Sequence, residues 1–309
     1  MKNYRNIIVV LDAGGINEKT LEKALYLARL DPKTKITVFL PVFDFSIVLS
    51  SVMAFPNKEE MLTRVIEAKE AEIETAIASQ GISNNNISVK VVWGRSQGGA
   101  LGRELKTGNY DLIVKTASQE SDPLASFFFT PVDWKLMRKA QVPVILVKDK
   151  PWRTGGVILV AVCYTEKGFE NRVNLKLLRE AQILSLLTGS VIHLVNAVPC
   201  PAASVSLDVP GFLPDTYNEA IKEEHFRKLN EFALNHKLAP EQLHTVSGLP
   251  EEVIPDTARK LDATAVLMGS LGRDGFSGTV IGNTAEMIID ELDCDMIVLK
   301  TPEELFLED

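Results

Sequence analysis

The sequence predicts an α/β protein of two tandem doubly wound domains, each a five-stranded parallel sheet in the order 3-2-1-4-5 with helices on both faces. Three observations carry this expectation. Runs made almost wholly of Val, Ile and Leu alternate with helical patterns, as they must when a sheet is covered on both sides and no strand has a wet face. The alternation occurs twice, with IIVVLD at 7–12 answered by VILVAVC at 157–163. The chain's 309 residues exceed one ordinary α/β domain and suit two of about 150 each.

After the first strand, LEKALYLARL sets Leu21, Ala24, Leu25 and Ala28 on one helical face. KITVFLPVF (35–43) is the second strand, a charged helix follows at 58–80, and ISVKVVWG is the third strand. DLIVKTAS (111–118) and PVILVK (143–148) are the fourth and fifth. The second half repeats this order. Leu175, Leu178, Ala181 and the run from Ile183 to Leu187 form the apolar face of its first helix. SVIHLVNAV (190–198), a charged helix at 216–236, LHTVSG, TAVLMGS (264–270) and DMIVLK (295–300) come after it. Each half therefore reads βαβαβαβαβ. Between them KDKPWRTGG (148–156) combines Pro, charge and paired Gly, which places the domains at 1–150 and 151–309. Right-handed crossovers in this strand order leave the fifth strand at a sheet edge. PVILVK and DMIVLK are apolar edges prone to association, and the two domains are expected to pair through them, Val144 to Val147 against Met296 to Leu299. Coverage by a helix of the same domain, or by a second chain in a homodimer, is the alternative.

Hydrophobic residues make up 46% of the chain and charged residues 24%, the balance of a folded globular protein. A net charge of -8 with no Lys/Arg-rich run repels a phosphodiester backbone and argues against nucleic acid as a partner. Cys163, Cys200 and Cys294 are scattered and odd in number, with no CxxC pair, which suits a reducing compartment. The apolar run near the start ends at Asp12, and no stretch approaches the roughly 18 residues of a membrane span. The expectation is a cytoplasmic protein without integral membrane association.

The most specific local signal is GSLGRDGFSGTVIGNTAE, in which Gly269 and Gly272 leave the fourth strand of the second half and Gly282 precedes a helix. Glycine lets a backbone approach an anion closely, and a helix start offers N–H groups without intrahelical partners and the positive end of a dipole. Together they predict a di- or triphosphate site. Asn283 with Glu286 also forms a capping box, so Asn283 has a purely structural use as well.

The pattern Gly269-x2-Gly272-x9-Gly282 followed by a small polar residue resembles the ATP-binding signature of the universal stress proteins, with Asn283 where Ser or Thr is commoner. KVVWGRSQGGALGREL, FFTPVDWKLMRK, VPVILVKDKPW and GLPEEVIPD extend the likeness over both halves, to the tandem members of that family. The resemblance implies a non-catalytic, stress-response binder of ATP, with magnesium accompanying the nucleotide as its only metal. It assigns nucleotide contacts to Ala161, Val162 and Cys163 after the first strand of the second half, and to Ala197 and Val198 after the second. Met268, Gly269, Ser270, Gly272 and Arg273 would line the loop, and Gly282, Asn283 and Thr284 the helix start.

In that family an Asp at the end of the first strand helps hold the nucleotide. Asp12 fits this role in the first half, whereas Cys163 stands in its place in the second. Aligning Thr116 with Gly269 sets Gln119 opposite Gly272 and Phe129 opposite Gly282, so the first half lacks the glycine loop. A Cβ and a phenyl ring there would fill the space that phosphates need. Thr130-Pro131-Val132-Asp133 keeps the helix cap, and Phe127, Phe128 and Phe129 read as core packing.

Each half also carries an apolar segment after its second strand, FDFSIVLSSVMAFP (43–56) and VPCPAASVSLDVPGFLP (198–214). Phe43, Phe45, Val48, Val52 and Phe55, like Val205, Leu207 and Phe212, must pack on protein or surround an apolar or amphiphilic small molecule in a cavity at the strand ends. No GxSxG, HExxH or cysteine cluster marks catalysis, and no general base for even slow ATP hydrolysis is identifiable. His193, within a strand, reads as a hydrogen-bonded core residue, and His225 and His236 as solvated on a charged helix. None of these, nor His244, has metal-ligand spacing.

Overall fold

The structure, a computed structural model, describes residues 4–12, 18–42, 58–79, 86–94, 97–117, 136, 140–164, 170–198, 214–270 and 283–300. The chain divides into two units, Met1–Pro151 and Trp152–Asp309. The first contains β1 (Asn6–Val10), α1 (Glu18–Leu30), β2 (Lys35–Val42), α2 (Lys58–Ser79), β3 (Ile87–Trp93), α3 (Gln97–Thr107), β4 (Leu112–Thr116) and β5 (Val144–Val147). Its strands are all parallel and run β3-β2-β1-β4-β5, the predicted order. Ile7, Ile8, Val9 and Val10 of the central strand are all buried, which is why this strand carries no polar alternation. Leu21, Ala24, Leu25 and Ala28 of α1 are buried as their spacing predicts. The Asp111 carboxylate accepts the Arg5 and Asn6 N–H groups at 3.0 and 3.1 Å, tying the start of β4 to the start of β1.

The second unit contains β6 (Val157–Ala161), α4 (Glu170–Thr188), β7 (Val191–Val198), α5 (Pro214–Asn235), β8 (Leu243–Ser247), α6 (Pro250–Lys260), β9 (Ala263–Gly269), α7 (Asn283–Glu291) and β10 (Asp295–Leu299). Its parallel strands run β8-β7-β6-β9-β10, repeating the first unit's topology. Trp152 is tied into this unit, its indole N–H donating to the fully buried Asp295 carboxylate at 2.7 Å. Gly189, with φ of 69°, lets the chain leave α4 and turn into β7 while its N–H still bonds to the Ser185 carbonyl at 2.7 Å.

One helix face differs from the sequence expectation. In α4 the buried stripe is Asn174, Leu177, Leu178, Ala181, Leu184 and Thr188, while Leu175 is half-buried and Leu186 is 63% exposed. Asn174 joins the apolar stripe because the end of β6 gives its amide two partners, described below; a purely hydrophobic reading of the helix passes over it. Among the described residues no helix is long and apolar enough to cross a membrane.

Candidate functional site

In a doubly wound sheet the crevice for ligands opens at the carboxyl ends of the strands, where the direction of winding reverses. In the second unit this falls between β6 and β9. Ala161, Val162 and Cys163 lie at the end of β6, Ala197 and Val198 at the end of β7, and Met268, Gly269 and Ser270 at the end of β9; the backbone of Asn283 and Thr284 begins α7. The fold thus brings the strand-end residues of the sequence assignment to one end of one sheet. Gly272, Arg273 and Gly282 lie outside the described residues, as do Phe43, Phe45, Val48, Val52, Phe55, Val205, Leu207 and Phe212.

The end of β6 is fixed by side-chain amides. Asn174 accepts the Cys163 N–H at 3.2 Å and donates to the Cys163 carbonyl at 2.9 Å, bracketing that residue as a neighbouring strand would. Asn196 of β7 donates to the Val162 carbonyl at 3.1 Å, and its Oδ1 accepts Nδ1–H of His225 at 2.7 Å. Both asparagines are almost fully buried, and an amide in such a place needs these partners to offset its lost hydration. The His225 imidazole meets the Tyr164 ring edge-on, with centroids 6.3 Å apart and planes at 87°. Burial pushes the Tyr164 phenol well above its usual range, and the negative charges of Cys163 and Glu231 push it further.

These contacts correct the reading of two histidines. His225 is not a solvated helix residue but a half-buried donor to Asn196. His236 lies in the turn after α5, against the Phe232 ring at 4.7 Å. His193 is hydrogen-bonded as expected, its partner being the His244 imidazole at 2.9 Å.

At the same end of the first unit Asp12 has a different occupation. The Lys115 ammonium, 1% exposed, pairs with its two carboxylate oxygens at 2.8 and 3.1 Å and also donates to the Thr116 carbonyl at 3.3 Å. Beside it the Thr20 and Thr116 hydroxyls bond to each other at 2.6 Å. Lys115 escaped the sequence reading, although a lone lysine in the strand LIVKT is itself a signal that a carboxylate waits nearby. With Thr116 set against Gly269, Lys115 falls opposite Met268, and Asp12 opposite Cys163. The second unit has replaced both members of the pair.

Two doubly wound parallel α/β units in tandem define the class of fold, a duplicated α/β domain with the same strand order in each half. The chain belongs to the Universal stress protein family, whose sequence pattern matches residues 3–148 and 159–300. It is similar to universal stress protein E of Salmonella typhi, with 37% identity over 317 aligned positions covering all of both chains. It is 36% identical to universal stress protein E of Escherichia coli K12, over 99% of this chain and 98% of that one. Among solved structures, a functionally unknown protein from Pseudomonas aeruginosa PAO1 matches with a TM-score of 0.70 and 26% identity, over 98% of this chain and 94% of that one.

Proposed function

We propose that the protein binds ATP, with accompanying magnesium, in its second unit, as a non-catalytic regulatory ligand in the stress response. The observation that carries this reading is the joint placement of the β9 exit at Gly269 and the α7 start at Asn283 around a glycine-rich sequence, at the end of the sheet where the strand order reverses. A helix start stabilises phosphate through its N–H groups and dipole, and the intervening glycines suit close approach of the backbone. The first unit is assigned no nucleotide, since Lys115 engages Asp12 and Phe129 stands where the loop would need glycine. The cytoplasm is the proposed compartment; Cys163 and Cys294 are both thiols rather than disulfides.

A second reading is a binder of an apolar or amphiphilic molecule, favoured by the hydrophobic composition of FDFSIVLSSVMAFP. Mass spectrometry of the purified chain under native and denaturing conditions separates the two. A retained adenine nucleotide is the expected result, and a retained lipid-like mass with no nucleotide overturns the first reading in favour of the second.

A further inference from the structure

Tyr164 follows Cys163 at the carboxyl end of β6 and is 8% exposed. Its hydroxyl is buried and has no hydrogen-bond partner among the described residues. Such orphans are rare in native proteins, because a buried polar atom gives up its water and needs something in return. The amides around it are matched to their neighbours: Asn174 to the Cys163 backbone, and Asn196 to Val162 and His225. The edge-on contact with His225 holds the Tyr164 ring in place, so its hydroxyl is a fixed group. A second orphaned atom, Asn218 Oδ1, belongs to α5 two helical turns before His225 and on the same face of that helix.

We propose that the Tyr164 hydroxyl is a ligand contact of the second unit, binding a neutral hydrogen-bonding group at the nucleoside end of the nucleotide, a ribose hydroxyl or a ring nitrogen of the base. The assignment rests on the nucleotide reading above and deepens it. Its chemistry follows from the surroundings. At neutral pH the negative charge that acts on Tyr164 is that of Glu231, since the Cys163 thiol is then neutral, and the hydroxyl is buried, so an anionic phosphate would be repelled and poorly solvated there, whereas a neutral donor or acceptor is not. The phosphates go instead to the α7 start. The sequence alignment of the units supports the same division. The first has Asp12-Ala13 where the second has Cys163-Tyr164, so the carboxylate is lost at one position and a hydroxyl is gained at the next.

The test is calorimetric titration of the full chain with magnesium and ATP, comparing wild type with Tyr164→Phe, which keeps the ring and its contact with His225. The variant should bind ATP about tenfold more weakly, the effect of one lost hydrogen bond in a desolvated site. The same factor should apply to ADP, since the contact lies away from the terminal phosphate. The ligand-free variant should melt at the same temperature as wild type or higher, because the substitution removes a polar atom buried without a partner. With 2′-deoxy-ATP the penalty vanishes if the ribose 2′-hydroxyl is the contact, with 3′-deoxy-ATP it vanishes if the 3′-hydroxyl is, and it persists with both if the base is. Equal ATP affinities overturn the assignment, and so does a lower melting temperature for the ligand-free variant, which would mean that the hydroxyl already has a partner such as an ordered water. A wild type that binds no ATP overturns the nucleotide reading and this assignment with it; binding that is indifferent to Tyr164→Phe overturns this assignment alone.

Discussion

A lysine ammonium as buried as Lys115 needs a carboxylate within reach, and Asp12 supplies one at 2.8 Å. Taking Asp12 away would leave a cation in a site with little water, whereas exchanging both residues for neutral ones leaves no charge behind. The second unit has made that double exchange, with Cys163 and Met268 at the corresponding positions. Asp12→Cys alone should therefore cost about 3 kcal/mol, the lower end for a broken buried pair because Asp12 itself keeps 34% exposure to screening water. Adding Lys115→Met should restore most of the loss. Urea denaturation of the four proteins of this cycle reads the coupling directly, and strictly additive effects would contradict it. Asp12 was legible in the sequence as a strand-end acid, but its engagement was not. The contact spans 103 positions along the chain and exists only because β1 and β4 are neighbours. Tyr164 was missed for a similar reason, since its burial depends on α5 meeting the end of β6.

Among the elements, β7 and β8 carry a pair of stacked imidazoles, His193 and His244, with ring centroids 5.2 Å apart. Burial holds His193 below the usual histidine range; burial and then the charge of His193 do the same for His244. The unfolded chain therefore binds protons more readily than the folded one. The stabilisation is fully present above the ordinary histidine value of about 6.5 and is lost as pH falls below it toward the depressed folded values. The urea midpoint of the wild type should drop between pH 7.5 and pH 5, and His193→Asn should flatten that drop. An identical pH dependence in the two proteins would show that the pair does not set it. The strands themselves were readable from composition, because a strand buried on both faces has to be a continuous apolar run. The α4 face was readable only in part: its hydrophobic spacing is intrinsic, but the place of Asn174 in the stripe depends on a hydrogen-bonding backbone that belongs to β6.

The whole molecule repeats one topology in two units and changes the chemistry at the strand ends. Duplication of the apolar pattern made the repeat visible, and membership of the Universal stress protein family accords with it. What distinguishes the units is local. The first keeps the acid and ties it to Lys115; the second has neither and carries the glycine sequence and the Tyr164 hydroxyl. Binding is therefore expected once per chain and not twice. The most direct measurement is a calorimetric titration of the full chain with magnesium and ATP, repeated on the Gly272→Val, Gly282→Val double variant, with circular dichroism confirming that the variant is folded. One equivalent of ATP per chain, lost in the variant, is the predicted result; two equivalents, or an affinity untouched by the two valines, would contradict it.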